Sequence, residues 1–117
     1  MYETDWTKGL LPVGSVVEIP GGPGLLMIAG YMQTGMDGEG LADYVGVAFP
    51  EGYQGGGMMF HFNREDVSEV WHIGYSDDAG ESFRETAQSL LERLRSGDIE
   101  AAEAGPALLA AAGIPLP

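Results

Sequence analysis

Short apolar stretches, some alternating with polar residues, follow one another before residue 76 and have the period of β-strands. Clusters of glycine and proline separate these stretches, as in the PGGPG of residues 20–24, and they provide the backbone conformations that tight turns require. The pattern predicts five strands, at residues 15–19, 25–32, 43–49, 58–62 and 70–75. The second strand begins with an unbroken apolar run at residues 25–29, which indicates a strand covered on both faces.

The hydrophobic period changes to that of a helix after residue 76. Five apolar residues fall in one stripe along such a helix: Phe83, Ala87, Leu90, Leu91 and Leu94. Asp78 with Glu81 is a start signal that resembles a capping box, and Gly97 can adopt the left-handed conformation that ends a helix. We therefore predict a helix at residues 79–96, which buries its stripe on the sheet near residues 25–29 or 71–73.

Together these elements predict an α+β domain. Its core is either a small, strongly bent five-stranded antiparallel sheet or an SH3-like barrel, and the C-terminal helix packs on it. We assign residues 1–97 to this single domain, with its core at about residues 10–94. Residues 98–117 form an alanine-rich tail in which a short helix over about residues 107–112 is predicted to dock on the domain or on a partner.

The net charge of the chain indicates which classes of partner are not expected. Eighteen acidic residues against five basic ones give a formal net charge of −13, which repels phosphate backbones and anionic lipid surfaces. Nucleic acid and membranes are therefore not expected partners, whereas a basic protein surface or a cation is compatible with this charge. The absence of cysteine excludes disulfides and thiolate chemistry, and with the lack of a secretory signal it favours a cytoplasmic protein.

Two glycine-rich or acidic segments resemble ligand loops but lack necessary residues. The glycine triplet at residues 55–57 leads into a strand and no lysine follows it, so we interpret it as a hairpin turn and not a phosphate loop. In the following strand, Met58, Phe60 and Phe62 are predicted to share the core face. The acids at positions 37, 39 and 43 are spaced like part of a calcium loop, but alanine occupies position 48, so we interpret them as a solvated loop.

His61 and His72 are the two candidate metal ligands. They could lie diagonally across neighbouring strands, with Glu65, Asp66 or Glu69 nearby, yet histidine on a sheet surface is more often solvated or in contact with a helix. No nucleophile with an adjacent base is evident. We therefore expect no catalytic residues, no metal and no cofactor, and a protein that is not an enzyme.

Apolar residues at predicted surface positions are more numerous than one small barrel readily buries. Two interpretations are open: the predicted helix covers them, or they form a surface that adapts to a protein partner. The candidate partner-binding residues are Met32, Met36, Met59, Trp71, Leu108 and Leu109.

Several motifs, in order, resemble those of the DUF4176 family: LLPVGSVVEI, LMIAGYMQ, DYVGVAFPEGY, FHFNREDVSEVWHIGY and a helix beginning near DDAGESF. The resemblance covers about residues 10–94. It implies a small bacterial protein similar to those encoded beside type VII (ESX-like) secretion components and LXG toxins. No enzymatic activity is established for that family, so the resemblance implies no catalytic residue in this chain.

The expected function is that of an accessory protein of a type VII secretion system, which binds a secreted toxin or its helical partners as an adaptor or chaperone. One alternative is an immunity-type protein whose negative charge complements a basic toxin surface. Another is a barrel that binds a small ligand or a metal through the two histidines. Association of copies of this chain with one another is a further alternative for the apolar surface.

Overall fold

The computed structural model describes residues 9–22, 24–34, 41–55 and 58–98. These residues form an antiparallel sheet followed by one long helix. The strands are β1 (Val16–Glu18), β2 (Leu25–Thr34), β3 (Leu41–Phe49), β4 (Phe60–Phe62) and β5 (Glu69–His72), and the helix is α1 (Asp78–Ser96). A 3₁₀ turn at Arg64–Asp66 connects β4 to β5. The predicted tail helix, and Leu108 and Leu109 with it, lies outside the described residues.

The five strands form one sheet in the order β4-β3-β2-β1-β5, and every neighbouring pair is antiparallel. β4 and β5 lie at opposite edges and do not pair with each other within the described residues. The sheet is therefore open, which confirms the predicted α+β architecture and selects a five-stranded antiparallel sheet over the closed barrel. Each predicted strand is present with shifted ends; the fourth begins at Phe60 and the fifth ends at His72.

The core lies between one face of the sheet and α1. Val17 and Val70 from the sheet are fully buried there, as are Ala87 and Leu91 from the helix. The predicted helical stripe is thus the buried face of α1. Asp77, one residue earlier than the predicted capping residue, is the N-cap of the helix, and its carboxylate accepts a hydrogen bond from the Gly80 N–H at 2.8 Å.

The described residues that precede β1 contribute to this core. Leu10 and Leu11 are buried, and the backbone of Leu11 is bonded on both sides by tyrosine hydroxyls. The Tyr44 hydroxyl accepts a hydrogen bond from the Leu11 N–H at 2.8 Å, and the Tyr31 hydroxyl donates one to the Leu11 carbonyl oxygen at 2.6 Å. These bonds hold the segment against β2 and β3 and satisfy backbone groups that burial would otherwise leave unpaired.

A buried carboxylate joins β3, the 3₁₀ turn and the end of α1. Asp43 is fully buried, and its Oδ2 accepts hydrogen bonds from Arg64 Nε at 3.1 Å and Arg64 N at 2.8 Å. Its Oδ1 accepts a third bond from Arg95 at 2.8 Å. The prediction that Asp43 belongs to a solvated acidic loop is therefore wrong, because two arginines that are distant in sequence neutralise it in the interior.

The connection between β3 and β4 contains the predicted turn. Gly55 has a φ of 81°, and the Met58 N–H donates a hydrogen bond to the Gly55 carbonyl oxygen at 3.0 Å. Of the three residues predicted on the core face, Phe62 is buried and Phe60 packs partly against the core. The prediction is wrong for Met58, which is 55% exposed because it precedes the paired part of the strand.

Candidate functional site

The sheet has a second face over which no helix packs in the part of the chain that the structure describes. Val17, Leu26 and Val70 point into the core, so their neighbours Val16, Met27 and Trp71 point the other way. α1 covers the first face only. The interpretation that the helix covers Trp71 is wrong, because Trp71 is 50% exposed.

Strand register arranges the side chains of this open face in two rows. The first row, across β5, β1, β2 and β3, consists of His72, Val16, Met27 and Val47. The second consists of Glu69, Glu18, Leu25 and Phe49. A bulge leaves Trp71 between Val70, which pairs with Val17, and His72, which pairs with Val16. The indole therefore lies beside both rows at the β5 edge.

An open groove of about 520 Å³ lies between these rows. Six side chains line it: Val16, Leu25, Met27, Phe49, Trp71 and His72. All except His72 are apolar, and the volume falls within the roughly 300–1,000 Å³ that is typical of ligand pockets. Phe49 is 43% exposed, so two large aromatic side chains of the groove are in contact with solvent. The groove is therefore suited to bind apolar groups.

Two glutamates of the second row, Glu18 and Glu69, lie next to residues that line the groove. The Trp71 indole N–H donates a hydrogen bond to Glu18 Oε1 at 3.0 Å, which ties the ring to β1. Glu69 is the cross-strand neighbour of Glu18, and both side chains are partly buried. The ion pairs between described side chains are formed by Asp43 with Arg64 and Arg95, so neither glutamate is neutralised by a described cation.

The structure brings together few of the partner-binding residues that the sequence predicts. Trp71 lines the groove, but Met59 lies beside β4, at the other edge of the sheet, and is not part of it. Met32 lies in β2, where its backbone alone is described. Met36, Leu108 and Leu109 lie outside the described residues.

Four groove residues were not predicted as site residues: Val16, Leu25, Met27 and Phe49. The unbroken run at residues 25–29 indicated a strand covered on both faces, and this is wrong for Leu25 and Met27, which are partly exposed. The apolar run was nevertheless the sequence signal that could have identified Leu25 and Met27 as groove residues. An apolar run makes both faces of a strand apolar, and whether a second layer covers the outer face depends on the rest of the fold.

The two histidines do not form a site together. His61 is in β4 and His72 is in β5, so three strands separate them and they are not diagonal neighbours. Within the described residues no group of three or more histidine, aspartate or glutamate side chains is arranged to hold a metal ion. Nor does any helix in that part of the chain have the length and hydropathy needed to cross a membrane.

Comparisons with known proteins identify a family. The family model described as "Domain of unknown function (DUF4176)" matches residues 10–83, from the buried Leu10 through all five strands to Phe83 in α1. No curated protein and no solved structure matches this chain. Because the family match covers more than half of the 117 residues, the chain belongs to the DUF4176 family.

Proposed function

We propose that this protein is a non-enzymatic interaction protein that binds a protein partner through the apolar groove on the open face of its sheet. The observation that carries the proposal is the half-exposed Trp71 at the edge of a groove whose other lining side chains, except His72, are also apolar. Single exposed apolar residues are common on protein surfaces, but clustered ones mark interaction sites. Tryptophan is among the residues that contribute most to protein–protein binding.

The partner that we propose is a substrate of a type VII secretion system, such as an LXG-type toxin, or one of its small helical partners. This choice is supported by the ordered motifs of the DUF4176 family, because the sequence resemblance is to small proteins encoded beside type VII secretion components and LXG toxins. In this role the protein acts in the cytoplasm, as an adaptor or chaperone that covers apolar surface of the partner before export. Met27 and Leu25 suit such a role, because flexible aliphatic side chains adapt to the packing of a partner helix.

The test is co-purification. The tagged full-length protein is expressed together with the proteins encoded beside it, and the bound proteins are identified and quantified by mass spectrometry. We expect a stoichiometric partner with the unmodified chain, and its loss with Trp71→Ala and with Met27→Glu, which places a charge in the groove. Tyr75→Ala is the matched control, because this aromatic residue is 82% exposed and lies outside the groove.

Two results would count against the proposal. One is a purified protein that carries no partner under any co-expression condition. The other is a partner that is retained equally by Trp71→Ala, Met27→Glu and the unmodified chain, because that partner would bind elsewhere. Circular dichroism of each variant before the comparison shows whether a lost partner reflects a lost fold.

The net charge supports an immunity-type protein as a second candidate. A charge of −13 would complement a basic toxin surface and accelerate association with it. In that case toxin binding would weaken strongly as salt screens the attraction, whereas binding through the groove would keep the apolar part of its free energy at any salt concentration. Measuring the dissociation constant of the purified complex at low and physiological ionic strength separates the two candidates, and a toxicity assay then tests protection directly.

A further inference from the structure

The strands of the sheet contain acids but no lysine or arginine; their basic residues are His61 and His72. None of the five strand sequences includes lysine or arginine, whereas three acids occur in them: Glu18, Asp43 and Glu69. Asp43 is neutralised by the two arginines bonded to it. The remaining arginines of the described residues, Arg84 and Arg93, belong to α1 on the other face. Glu18 and Glu69 are therefore the strand acids that no described cation neutralises.

These two glutamates are cross-strand neighbours, next to residues that line the groove. They are directly opposite in the register of β1 and β5, an arrangement in which like charges destabilise a sheet. Glu18 is also directly opposite Leu25 on β2, and its carboxylate accepts the Trp71 indole N–H. The Glu18 carboxylate thus lies beside the Trp71 wall of a groove whose lining side chains, except His72, are apolar, and Glu69 is its cross-strand neighbour.

We propose that the groove binds a segment of a protein partner in which a lysine or arginine adjoins a large apolar side chain. The apolar side chain packs against Leu25, Met27 and Trp71, and the cation lies between Glu18 and Glu69. A cation at that position relieves the repulsion of the two carboxylates and can also lie against the face of the indole. This inference rests on the proposed function and specifies the chemistry of its partner.

Charge complementarity distinguishes this occupant from the alternatives. A second copy of the chain placed groove to groove would bring Glu18 and Glu69 of both copies together, between molecules that each carry a charge of −13. The tail at residues 99–117 contains two glutamates and no lysine, arginine or histidine, so it offers the acidic pair no cation. A basic segment of another protein satisfies both the apolar and the acidic part of the site.

The experiment is a selection of peptides from a displayed random library on the immobilised full-length protein. The same selection is made on Glu18→Lys/Glu69→Lys, in which the acidic pair is reversed. The control is Glu65→Lys/Glu85→Lys, which changes the net charge by the same amount at exposed positions outside the groove. Thermal melting of each protein establishes that it is folded before the selection.

We expect the unmodified chain and the control to enrich the same peptides, with lysine or arginine adjoining leucine, phenylalanine or another large apolar residue. The charge-reversed protein should lose these peptides and enrich acidic ones instead. A synthetic copy of an enriched peptide should bind Glu18→Lys/Glu69→Lys roughly tenfold more weakly at low salt, because two attractions become repulsions. Trp71 fluorescence in the Trp6→Phe background reports binding at the groove, since Trp71 is then the only tryptophan.

Four results would overturn the inference. The first is enrichment of apolar peptides without lysine or arginine, or of peptides that the charge-reversed protein binds equally well. The second is binding that Met27→Glu does not weaken, which would locate the peptide outside the groove. The third is groove-dependent self-association in light scattering, with no peptide enriched. The fourth is peptide binding that occurs only after Leu108→Glu/Leu109→Glu, which would make the tail of this chain the occupant.

Failure of the inference and failure of the proposed function are distinguishable. If a co-purified partner is lost with Trp71→Ala but retained by Glu18→Lys/Glu69→Lys, the groove binds a protein whose chemistry is not basic, and the inference alone fails. If the partner is retained by every groove variant, the proposed function fails as well.

Discussion

The hydroxyl of Tyr44 and the backbone N–H of Leu11 form a hydrogen bond of 2.8 Å inside the core, across 33 positions of sequence. Tyr31 completes the arrangement from the neighbouring strand by donating its hydroxyl proton to the Leu11 carbonyl oxygen. The two rings also contact each other, with centroids 6.0 Å apart. Leu11 and the described residues beside it are therefore part of the folded domain, which agrees with the family match beginning at residue 10.

We expect Tyr44→Phe to lower the free energy of unfolding by about 1–3 kcal/mol, because it leaves the Leu11 N–H buried without a partner. The ring itself is retained, so the loss reports the hydrogen bond and not the packing. Urea denaturation followed by circular dichroism measures it. Tyr75→Phe removes the same atom at a site that is 82% exposed and should change the free energy of unfolding by less than about 0.5 kcal/mol. Equal effects of the two substitutions would show that the bond to Leu11 contributes nothing.

The two core tyrosines also predict how stability depends on alkaline pH. Burial raises the pKa of both Tyr31 and Tyr44 above the ordinary value of 10.0; for Tyr31, the nearby Arg84 guanidinium partly opposes this effect. In the unfolded chain both hydroxyls lose their protons near pH 10, whereas the folded protein retains them to higher pH. Above pH 10 the folded state therefore binds more protons, and the free energy of unfolding falls as the pH rises.

Urea denaturation at a series of pH values tests this expectation. For the unmodified chain, the contribution of the tyrosines should be constant below about pH 9 and should decrease above it. Tyr31→Phe/Tyr44→Phe should start from a lower stability and show a shallower alkaline decrease, because it lacks the two hydroxyls whose pKa burial raises in the folded state. The same slope in both proteins would mean that the core tyrosines do not cause the decrease.

The sequence predicts elements well where the signal is local. The helix is determined by the stripe from Phe83 to Leu94 and by Gly97, whose φ of 87° is the predicted left-handed conformation. These signals act within a few residues, so no knowledge of the remaining fold is needed. The five strands follow for the same reason, because apolar stretches and turn residues alternate along the chain.

Properties that depend on strand order or on distant partners were not predictable in this way. His61 and His72 are close in sequence but lie at opposite edges of the sheet, and their own residue types contain no information about that order. The burial of Asp43 depends on Arg64 and Arg95, which are 21 and 52 positions away. Leu25 and Met27 are apolar in either case, so their sequence cannot distinguish a covered face from an open groove.

The buried carboxylate at Asp43 leads to a third prediction. Asp43→Ala should lower the free energy of unfolding by about 3–5 kcal/mol, because it leaves the Arg64 guanidinium, with 10% of its side chain exposed, without its anion. Arg95→Ala should cost only about 1 kcal/mol, since the Arg95 side chain is 42% exposed and water replaces part of its interaction. Asp43→Asn, which keeps the shape, is the variant to measure if Asp43→Ala does not fold. Urea denaturation of the three variants measures the free energy of unfolding of each. An Arg95→Ala variant that loses as much stability as Asp43→Ala would contradict the prediction.

Val70 and Trp71 are adjacent in β5 and point to opposite faces of the sheet, so substitutions at the two positions should have opposite consequences. Val70 is fully buried, and Val70→Ala should lower the free energy of unfolding by about 2 kcal/mol while the groove and partner binding are retained. Trp71 is half exposed, and Trp71→Ala should cost about 1 kcal/mol or less but abolish partner binding. Thermal or urea denaturation of both variants, combined with co-purification of the partner below the melting temperature, measures the two properties separately. The prediction would be contradicted by a Trp71→Ala variant that is as unstable as Val70→Ala and still retains its partner. The indole would then contribute to stability and not to partner binding.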